Sequence, residues 1–350
     1  TMSCPASTQT TLAPSPTGPD PEHIRDRLPF LRRRGLMQRG IRAFLEARGH
    51  MEVETPYAVP TPGEEVHLHP FHTVRETPQG VPETLFLHTS PEFAMKRIVA
   101  ATGLPVFQFA RVWRNGERSG LHAPEFTMLE WYHPHASLSA LMDETEALLK
   151  AVLPPALHQP TLNGATTLDL TGPFERLSMQ EAFYRHAGLD LLPTEGNVQA
   201  LAQAAQCTAR TGETWEDLFF RLLLERIEPA IGRARPTFLT HWPASQAALA
   251  KQDPQDPRVA LRFELYANGM ELANAFEELT DPTEQRARFE ADRTSRQAQY
   301  PTRPTWPIDE KLLEALPHMP PCSGIALGFD RLVMLACGTP RINDVLWIGV

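Results

Sequence analysis

The chain has 350 residues, 42% hydrophobic and 21% charged, which is enough for a sizeable core in one large domain or two ordinary ones. Its formal net charge of −9 argues against a protein that binds nucleic-acid phosphates over a broad basic face. The sequence has neither a run of about 18 apolar residues nor a charged start followed by an apolar stretch, so we expect no membrane span and no secretory signal.

The four cysteines, at positions 4, 207, 322 and 337, are scattered and form no CxxC pair. This spacing argues against a zinc site and favours a reduced, cytoplasmic protein. Residues 1–22 are rich in Pro, Thr and Ser and lack apolar periodicity, so we predict a disordered tail there and a folded domain over residues 23–350. The basic cluster Arg25–Arg34 is interpreted as a solvated helix start rather than a binding patch.

Apolar residues recur at helical spacing from Leu36 to Arg48, and Gly49 follows as a helix-ending residue. The next segment, MEVETPYAV, alternates like a strand and is interrupted by Pro56. This helix and strand form a candidate packing and dimer element, with ordinary core packing as the alternative.

Further strands are predicted at Leu68–Val74 and Thr84–His88. A helix over Phe93–Ala101 is introduced by Ser90 and Pro91, a favourable cap and first-turn pair.

Two apolar strands, Val106–Trp113 and Phe126–His133, flank the loop Asn115–Pro124 and predict an antiparallel hairpin. Helical and strand patterns alternate through the rest of the chain, and many hairpins with helices outside them indicate an α+β fold, an antiparallel sheet flanked by helices. The remaining predicted helices are Ser139–Val152, Ser178–His186, Val198–Ala205, Trp215–Arg226, Glu284–Ala298 and Asp330–Cys337, and the remaining strands are Phe238–His241, Arg258–Ala267, Gly269–Phe276 and Ile325–Leu327.

Two arginines are candidates for binding a polyphosphate. Arg114 follows an apolar strand, where its guanidinium can donate two hydrogen bonds to an α-phosphate, and a salt bridge to Glu117 or Glu125 is the alternative. Arg331 lies in the first turn of a predicted helix, where the helix N-terminus favours anions, and its alternative is a pair with Asp330.

Carboxylates in two segments are candidates for cation binding. Glu271 and Glu278 lie beside Asn274 in an apolar frame, and such a pair suits Mg²⁺. Glu271 and Asn274 would face opposite sides of a regular strand, so a bend or bulge is required for both to enter one site. A surface acidic run is the alternative for this segment, although it is more apolar than a solvated face.

Glu130 and Tyr132 share one face of the second hairpin strand. A carboxylate and a phenol suit an ammonium group at the bottom of an apolar pocket. Ser90 and Glu92 add polar groups at the start of a helix.

Taken together, these segments resemble the catalytic domain of class II aminoacyl-tRNA synthetases of the lysyl type. LMQRGIRAFLEARGHMEVETP resembles motif 1, which builds the dimer in that family; RVWRNGERSGLHAPEFTMLEWY resembles motif 2, and GIALGFDRLVML resembles motif 3. The order and spacing of the three motifs match over residues 30–340.

The resemblance extends to truncated lysyl-tRNA synthetase paralogues that ligate (R)-β-lysine to elongation factor P, through TSPEFAMKR, WPASQAALA and PPCSGIALG. Lysyl synthetases carry an OB-fold anticodon-binding domain before motif 1, and the segment ahead of residue 30 is too short for its five strands. We therefore expect no anticodon-binding domain and no reliance on tRNA.

The resemblance implies that the chain uses ATP and Mg²⁺, acts on (R)-β-lysine and elongation factor P, and forms a homodimer. Arg114 and Arg331 would be catalytic residues, with Glu271 and Glu278 at the metal. The residues implied at the nucleotide are Arg114, Asn115, Gly116, His122, Ala123, Phe126, Glu271, Leu272, Gly328 and Arg331; those implied at the amino acid are Ser90, Pro91, Glu92, Glu130, Tyr132, Asn274, Glu278 and Ala326.

Three positions depart from the lysyl synthetases. Gly116 stands where they carry a glutamate, and Ala123 stands where they carry an asparagine. Ala326 replaces the middle glycine of a G-x-G-x-G pattern, and its methyl group could reshape the pocket for an amino group on the β-carbon, a difference of about 1–3 kcal/mol.

Two other functions remain compatible with the sequence. One is a tRNA-independent lysine-activating enzyme with another acceptor. The other is a catalytically silent synthetase paralogue with a regulatory role, which the retained arginines and glutamates oppose and the changes at Gly116 and Ala123 favour.

Overall fold

The structure, a computed structural model, describes residues 21–161, 164–247 and 249–349. The predicted tail therefore lies outside the described residues, except at its end. There the first helix begins at Pro21, two residues before the predicted start of the folded domain. Proline is well tolerated in the first turn of a helix, where its missing N–H has no partner to lose.

The first element is helix α1, Pro21–Glu46, followed by the short strands β1, Met51–Glu52, and β2, Ala58–Val59. The helix is longer than predicted, and the predicted strand is only these two short pieces. Gly49, with φ of 84°, ends the helix as predicted by leaving the right-handed helical region.

The helix and strand patterns of the remaining chain are largely confirmed, with shifts of one or two residues at most ends. These elements are β3 (His72–Glu76), β4 (Pro82–Leu87), α2 (Glu92–Thr102), β5 (Val106–Trp113), β6 (Glu125–Pro134), α3 (Leu138–Val152), β7 (Ala156–Thr161), β8 (Gly164–Asp169), β9 (Glu175–Ser178), α4 (Met179–Ala187), α5 (Val198–Ala204), α6 (Trp215–Leu222) with a π-helical continuation (Leu223–Ile227), β10 (Thr237–Pro243), β11 (Val259–Ala267), β12 (Met270–Glu277), α7 (Pro282–Gln299), α8 (Glu310–Ala315), β13 (Cys322–Gly328) and α9 (Phe329–Cys337).

The principal sheet has eight strands in the order β1-β5-β6-β13-β12-β11-β10-β9. Its six central strands pair antiparallel, and β1 and β9 add a parallel strand at either edge. The predicted α+β fold and the β5–β6 hairpin are confirmed. The pattern did not predict β7, β8, β9 or α8, because the segment after α3 is punctuated by Pro and Gly and its apolar periodicity is weak.

The two faces of the central strands have different roles. On β6, Leu129 and Trp131 point into a core shared with α1, α3 and α9, and Phe107 on β5 joins them. Glu130 and Tyr132 alternate with these residues and therefore face the other side of the sheet. The strand alternation thus separates an apolar core from a polar face.

The basic cluster at the start of α1 is partly buried, so its interpretation as a solvated helix start was wrong for two of its members. Arg27 donates to the carbonyl oxygens of Asn343 and Leu346 at 2.6 and 2.7 Å. Arg34 forms a buried ion pair with Asp330 at the start of α9. Asp330 also accepts from the backbone N–H of Thr127 at 2.6 Å, so this pair ties α1, α9 and β6 together.

No helix among the described residues is long and apolar enough to cross a membrane.

Candidate active site

A cavity of about 460 Å³ opens on the polar face of the sheet. It brings together twelve of the residues singled out in the sequence: Ser90, Glu92, Arg114, His122, Ala123, Phe126, Glu271, Leu272, Asn274, Ala326, Gly328 and Arg331. Six others do not line it: Pro91, Asn115, Gly116, Glu130, Tyr132 and Glu278.

Arg114 directs an unpaired guanidinium toward this cavity. Its Nε atom is buried and has no hydrogen-bond partner, and no carboxylate of the described residues forms an ion pair with it within 4 Å. Glu125, one of the alternative partners, lies 3.7 Å from Arg111 instead. The Phe126 ring lies 5.2 Å from the guanidinium carbon of Arg114 and orients it. The unpaired donors fit an anionic ligand such as a phosphate.

Arg331 also lines the cavity and does not pair with Asp330, whose carboxylate pairs with Arg34. Arg331 donates to the Glu271 carbonyl oxygen at 2.9 Å, and its other terminal nitrogen lies 2.7 Å from His122 Nε2. Burial and the Arg331 charge lower the pKa of His122, so the neutral imidazole accepts this hydrogen bond. His122 therefore holds the arginine in place from the motif 2 loop.

The bulge required for Glu271 and Asn274 to share a site is present in β12. Tyr266 on β11 pairs with Glu271, whereas its neighbour Leu265 pairs with Ala273, which leaves Leu272 as an extra residue. Both polar side chains consequently line the cavity.

A buried carboxylate lies directly behind the cavity at Glu130. Ser90 Oγ donates to its Oε1 at 2.6 Å, and the Tyr132 hydroxyl donates to its Oε2 at 3.0 Å. Burial, followed by the nearby Glu92 carboxylate, raises the pKa of Glu130 to about 8. The hydrogen bonds from the two hydroxyls do not offset the loss of hydration, which is why the pKa stays raised. No cation of the described residues lies within 4 Å of this carboxylate.

Lys96, which the sequence analysis missed, lies among these carboxylates. Its side chain is 1% exposed, and its Nζ lies 2.5 Å from Glu92 and 2.6 Å from Glu278. Burial alone would lower the pKa of Lys96, but the two carboxylates outweigh it and hold the ammonium charged. The i, i+4 spacing of Glu92 and Lys96 on α2 was the available signal.

The cluster has fewer positive than negative groups. Lys96 supplies one positive charge, and the pKa of Glu278 is still raised by burial against the opposing effect of Lys96. Glu278 Oε1 is buried and has no hydrogen-bond partner. The raised pKa values keep Glu130 and Glu278 largely protonated at neutral pH while the cluster is empty, and each can ionise against an incoming ammonium group. A diamino acid carries two such groups.

Gly324 allows this cluster to pack. A Cβ at this position would overlap both Glu278 Oε1 and the Tyr132 ring. The glycine pairs with Tyr132 across the β6–β13 ladder, so only a residue without a side chain lets the phenol and the carboxylate lie against the strand.

The structure does not bring Glu271 and Glu278 together. Glu271 lies near the start of β12 and Glu278 directly follows its end. Seven residues of extended chain separate them by roughly 23 Å at most, and Glu278 pairs with Lys96 instead. Glu264, on the neighbouring strand, is the carboxylate near Glu271. Burial, followed by the Glu271 charge, raises the pKa of Glu264 to about 7. The sequence analysis missed this pair because strand register decides it.

Asn115 and Gly116 of the motif 2 loop do not line the cavity, whereas Glu117 of the same loop does. Gly116 has φ of 88°, a conformation that glycine adopts without strain, and it is exposed. The backbone N–H of Asn115 donates to the His69 carbonyl oxygen at 2.6 Å. Ala123, in contrast, is buried and lines the cavity.

The fold and the motif positions agree with comparisons to known proteins. Residues 26–348 match the family of class II tRNA synthetases for D, K and N. The chain belongs to this family. It is 44% identical over 326 residues to the elongation factor P–(R)-β-lysine ligase of Salmonella arizonae, and the alignment covers 91% of this chain and 94% of that relative. The ligases of the same name from Salmonella typhi and Salmonella typhimurium show the same identity and coverage.

Proposed function

We propose that this protein is an ATP-dependent ligase that activates (R)-β-lysine as its adenylate and transfers the acyl group to a lysine side chain of elongation factor P. Membership of the class II synthetase family supports the use of ATP. The names of relatives that are 44% identical over most of the chain support the substrate and the acceptor.

The observation that carries the proposal is the charge distribution of one cavity. Arg114, with an unpaired buried Nε, faces it at one position, and at another a cluster of three carboxyl groups, Glu92, Glu130 and Glu278, shares the single counter-ion Lys96. An anionic phosphate and a cationic amino acid bound in this way would meet between the two groups. Adenylate formation joins these partners, and preorganised positive charge at the α-phosphate is the main catalytic requirement.

At the nucleotide end, Arg114 would contact the α-phosphate and Arg331, held by His122, would contact the distal phosphates. Phe126 and Ala123 would shape the adenine region, with Leu272 and Gly328 beside them. Mg²⁺ would neutralise phosphate charge. Glu271 fits such an ion, and we assign Glu264 as its partner rather than Glu278 because Glu264 lies on the adjacent strand.

At the amino-acid end, Glu130, Glu278 and Glu92 would hold the two ammonium groups, with Ser90 and Tyr132 orienting Glu130. Ala326 pairs with Glu130 on one side and Asn274 on the other in the sheet, and it lines the cavity. Its methyl group is therefore placed to discriminate between amino groups on the α- and β-carbon.

We further propose a homodimer that assembles through motif 1, in a chain whose residues 23–350 form one catalytic domain. Leu36 in the middle of α1 is 57% exposed, which supports a partner on this surface. The described cysteines, Cys207, Cys322 and Cys337, are free thiols, which supports a cytoplasmic location. The acidic net charge of −9 supports independence from tRNA.

The test is amino-acid-dependent ATP–pyrophosphate exchange with (R)-β-lysine and α-lysine. Exchange should be faster with β-lysine in the wild type and fall about 10²–10³-fold in Arg114→Ala, because a charge that stabilises the transition state is lost. Arg111→Ala removes an arginine from the same strand that pairs with Glu125 and should retain exchange.

The alternatives give different results. Exchange that is fastest with α-lysine would favour a lysine-activating enzyme with another acceptor. Absence of exchange with both amino acids would favour a silent paralogue. Ala326→Gly should shift the preference toward α-lysine about tenfold if the methyl group sets the selectivity.

A further inference from the structure

The cavity has a second acidic wall that the binding of ATP and the amino acid does not use. Glu64 and Glu65 lie in the loop between β2 and β3, Glu216 lies in the first turn of α6, and Asp292 lies on α7. All four line the cavity. Three separate parts of the chain therefore place carboxylates at the same opening.

These carboxylates are not neutralised by the protein. Among the described residues, none of the four forms an ion pair within 4 Å with an arginine, a lysine or a histidine. Arg296, which approaches from α7, donates instead to the carbonyl oxygens of Val66 and Leu68 at 2.8 and 2.7 Å. The wall thus presents carboxyl groups without a close ion-pair partner, and a cation entering the cavity can pair with them.

Glu64 is the most enclosed member, with 7% of its surface exposed. Its Oε1 atom is buried without a hydrogen-bond partner. Burial raises the pKa of Glu64 to about 8, and the nearby Trp306 indole lowers it only slightly. The Trp306 Nε1 atom is itself buried without a hydrogen-bond partner of good geometry. A buried, unpartnered carboxylate oxygen in a cavity wall indicates a ligand that donates hydrogen bonds.

Glu65 links the wall to the reacting groups. Its carboxylate is open to solvent, but protein surrounds it closely enough that burial raises its pKa, while the Arg114 charge lowers it and the Glu92 charge raises it further. Glu65, Arg114 and Glu92 all line the same cavity, so Glu65 borders the space in which the phosphate and the amino acid would be joined. A cation held by Glu65 would therefore lie next to the activated carbonyl.

We propose that Glu64, Glu65 and Asp292 form the receiving site for the ammonium group of the acceptor lysine. This inference rests on the proposed function, in which a protein lysine is the second substrate. A lysine side chain is charged at neutral pH, is long enough to enter a cavity, and carries three donors for unpaired carboxylate oxygens. The acidic wall attracts the ammonium group, and the Glu65 carboxylate takes up one of its protons. The free amine then attacks the acyl carbon of the adenylate, so that the amide bond forms as the bond to AMP breaks, and the second amine proton passes to solvent.

The experiment separates the two half-reactions in Glu65→Gln and Asp292→Asn, which keep the side-chain shape and remove the charge. Three rates are measured: ATP–pyrophosphate exchange with (R)-β-lysine, trapping of the adenylate by hydroxylamine, and transfer to elongation factor P. Hydroxylamine is uncharged at neutral pH and needs no ammonium site. Glu76→Gln removes an exposed carboxylate on β3, away from the cavity, and serves as the charge control.

In each cavity variant, we expect the rates of exchange and of hydroxylamine trapping to stay within about twofold of the wild-type rates. The KM for elongation factor P should rise about tenfold, because each variant loses one charge-assisted contact with the acceptor. Glu76→Gln should show none of these changes. Unchanged transfer in both cavity variants would overturn the inference, and so would a parallel loss of exchange, which would assign the wall to activation. Absence of exchange in the wild type would instead overturn the proposed function.

A second variant displaces Glu65 without removing a charge. Gly63 has φ of 147°, and a Cβ there would lie 2.6 Å from Glu65 Oε2 and 2.9 Å from Thr89 Oγ1. Gly63→Ala should therefore raise the KM for the acceptor as Glu65→Gln does. Gly80→Ala, at φ of 77° with nothing within 4 Å of its Cβ, is the control for loop strain and should leave transfer unchanged.

Discussion

Replacing Glu130 by Gln should increase stability at high pH while it removes function. Glu130 is fully buried, and its pKa is raised from an ordinary value of 4.5 to about 8, mainly by burial and then by Glu92. Such a rise corresponds to about 5 kcal/mol of unfavourable free energy for the ionised form. Gln has nearly the same shape, and the hydroxyls of Ser90 and Tyr132 can reorient to accept as well as donate.

The sign of the pH dependence follows from the protons bound. Between pH 4.5 and about 8, the folded protein holds a proton on Glu130 that the unfolded chain has released. The free energy of unfolding contributed by this residue therefore falls as the pH rises through that window. At pH 5 the variant and the wild type should have similar stability, and at pH 9 the variant should be more stable by as much as about 5 kcal/mol.

Urea unfolding followed by tryptophan fluorescence, from pH 5 to pH 9, measures this difference, with Glu76→Gln as the control for loss of one exposed carboxylate. Exchange with (R)-β-lysine should be largely lost in Glu130→Gln, because the counter-ion of an ammonium group is gone. Saturating (R)-β-lysine should stabilise the wild type but not the variant at pH 9. A stability difference that is constant across the pH range would refute the assignment of Glu130 as a buried carboxylate without a counter-ion.

Two further predictions concern packing around the site. Gly324→Ala should raise the KM for the amino acid and lower the free energy of unfolding by about 1–3 kcal/mol, because the new methyl group overlaps Glu278 and the Tyr132 ring. Exchange kinetics measure the first effect and a thermal melt measures the second. Wild-type values for both would contradict the proposed packing. Arg34→Met should lower the free energy of unfolding by about 3–5 kcal/mol, since it leaves Asp330 buried without its ion-pair partner; a loss below about 1 kcal/mol in urea unfolding would show that the pair is not needed to hold Asp330.

The sequence determined the fold class and twelve of the residues that line the cavity, because the patterns that place them are local. Strand alternation placed Glu130 and Tyr132 on one face, and the apolar run Val106–Trp113 set the strand that carries Arg114 to the cavity. The need for a bulge between Glu271 and Asn274 also followed from strand geometry, and the structure supplies it. Periodicity acts between near neighbours, so a single sequence contains it.

Tertiary structure alone decided which charges meet. Arg114 is left unpaired because Glu125 turns to Arg111, and Arg331 is free to enter the cavity because Arg34 pairs with Asp330, nearly three hundred residues away along the chain. Electrostatic energy depends on distance and on the surrounding dielectric, and neither is set by sequence spacing when the partners lie on different elements. The same reason explains why the contact of Lys96 with Glu278, and the proximity of Glu264 to Glu271, became apparent only once the helices and strands were assembled.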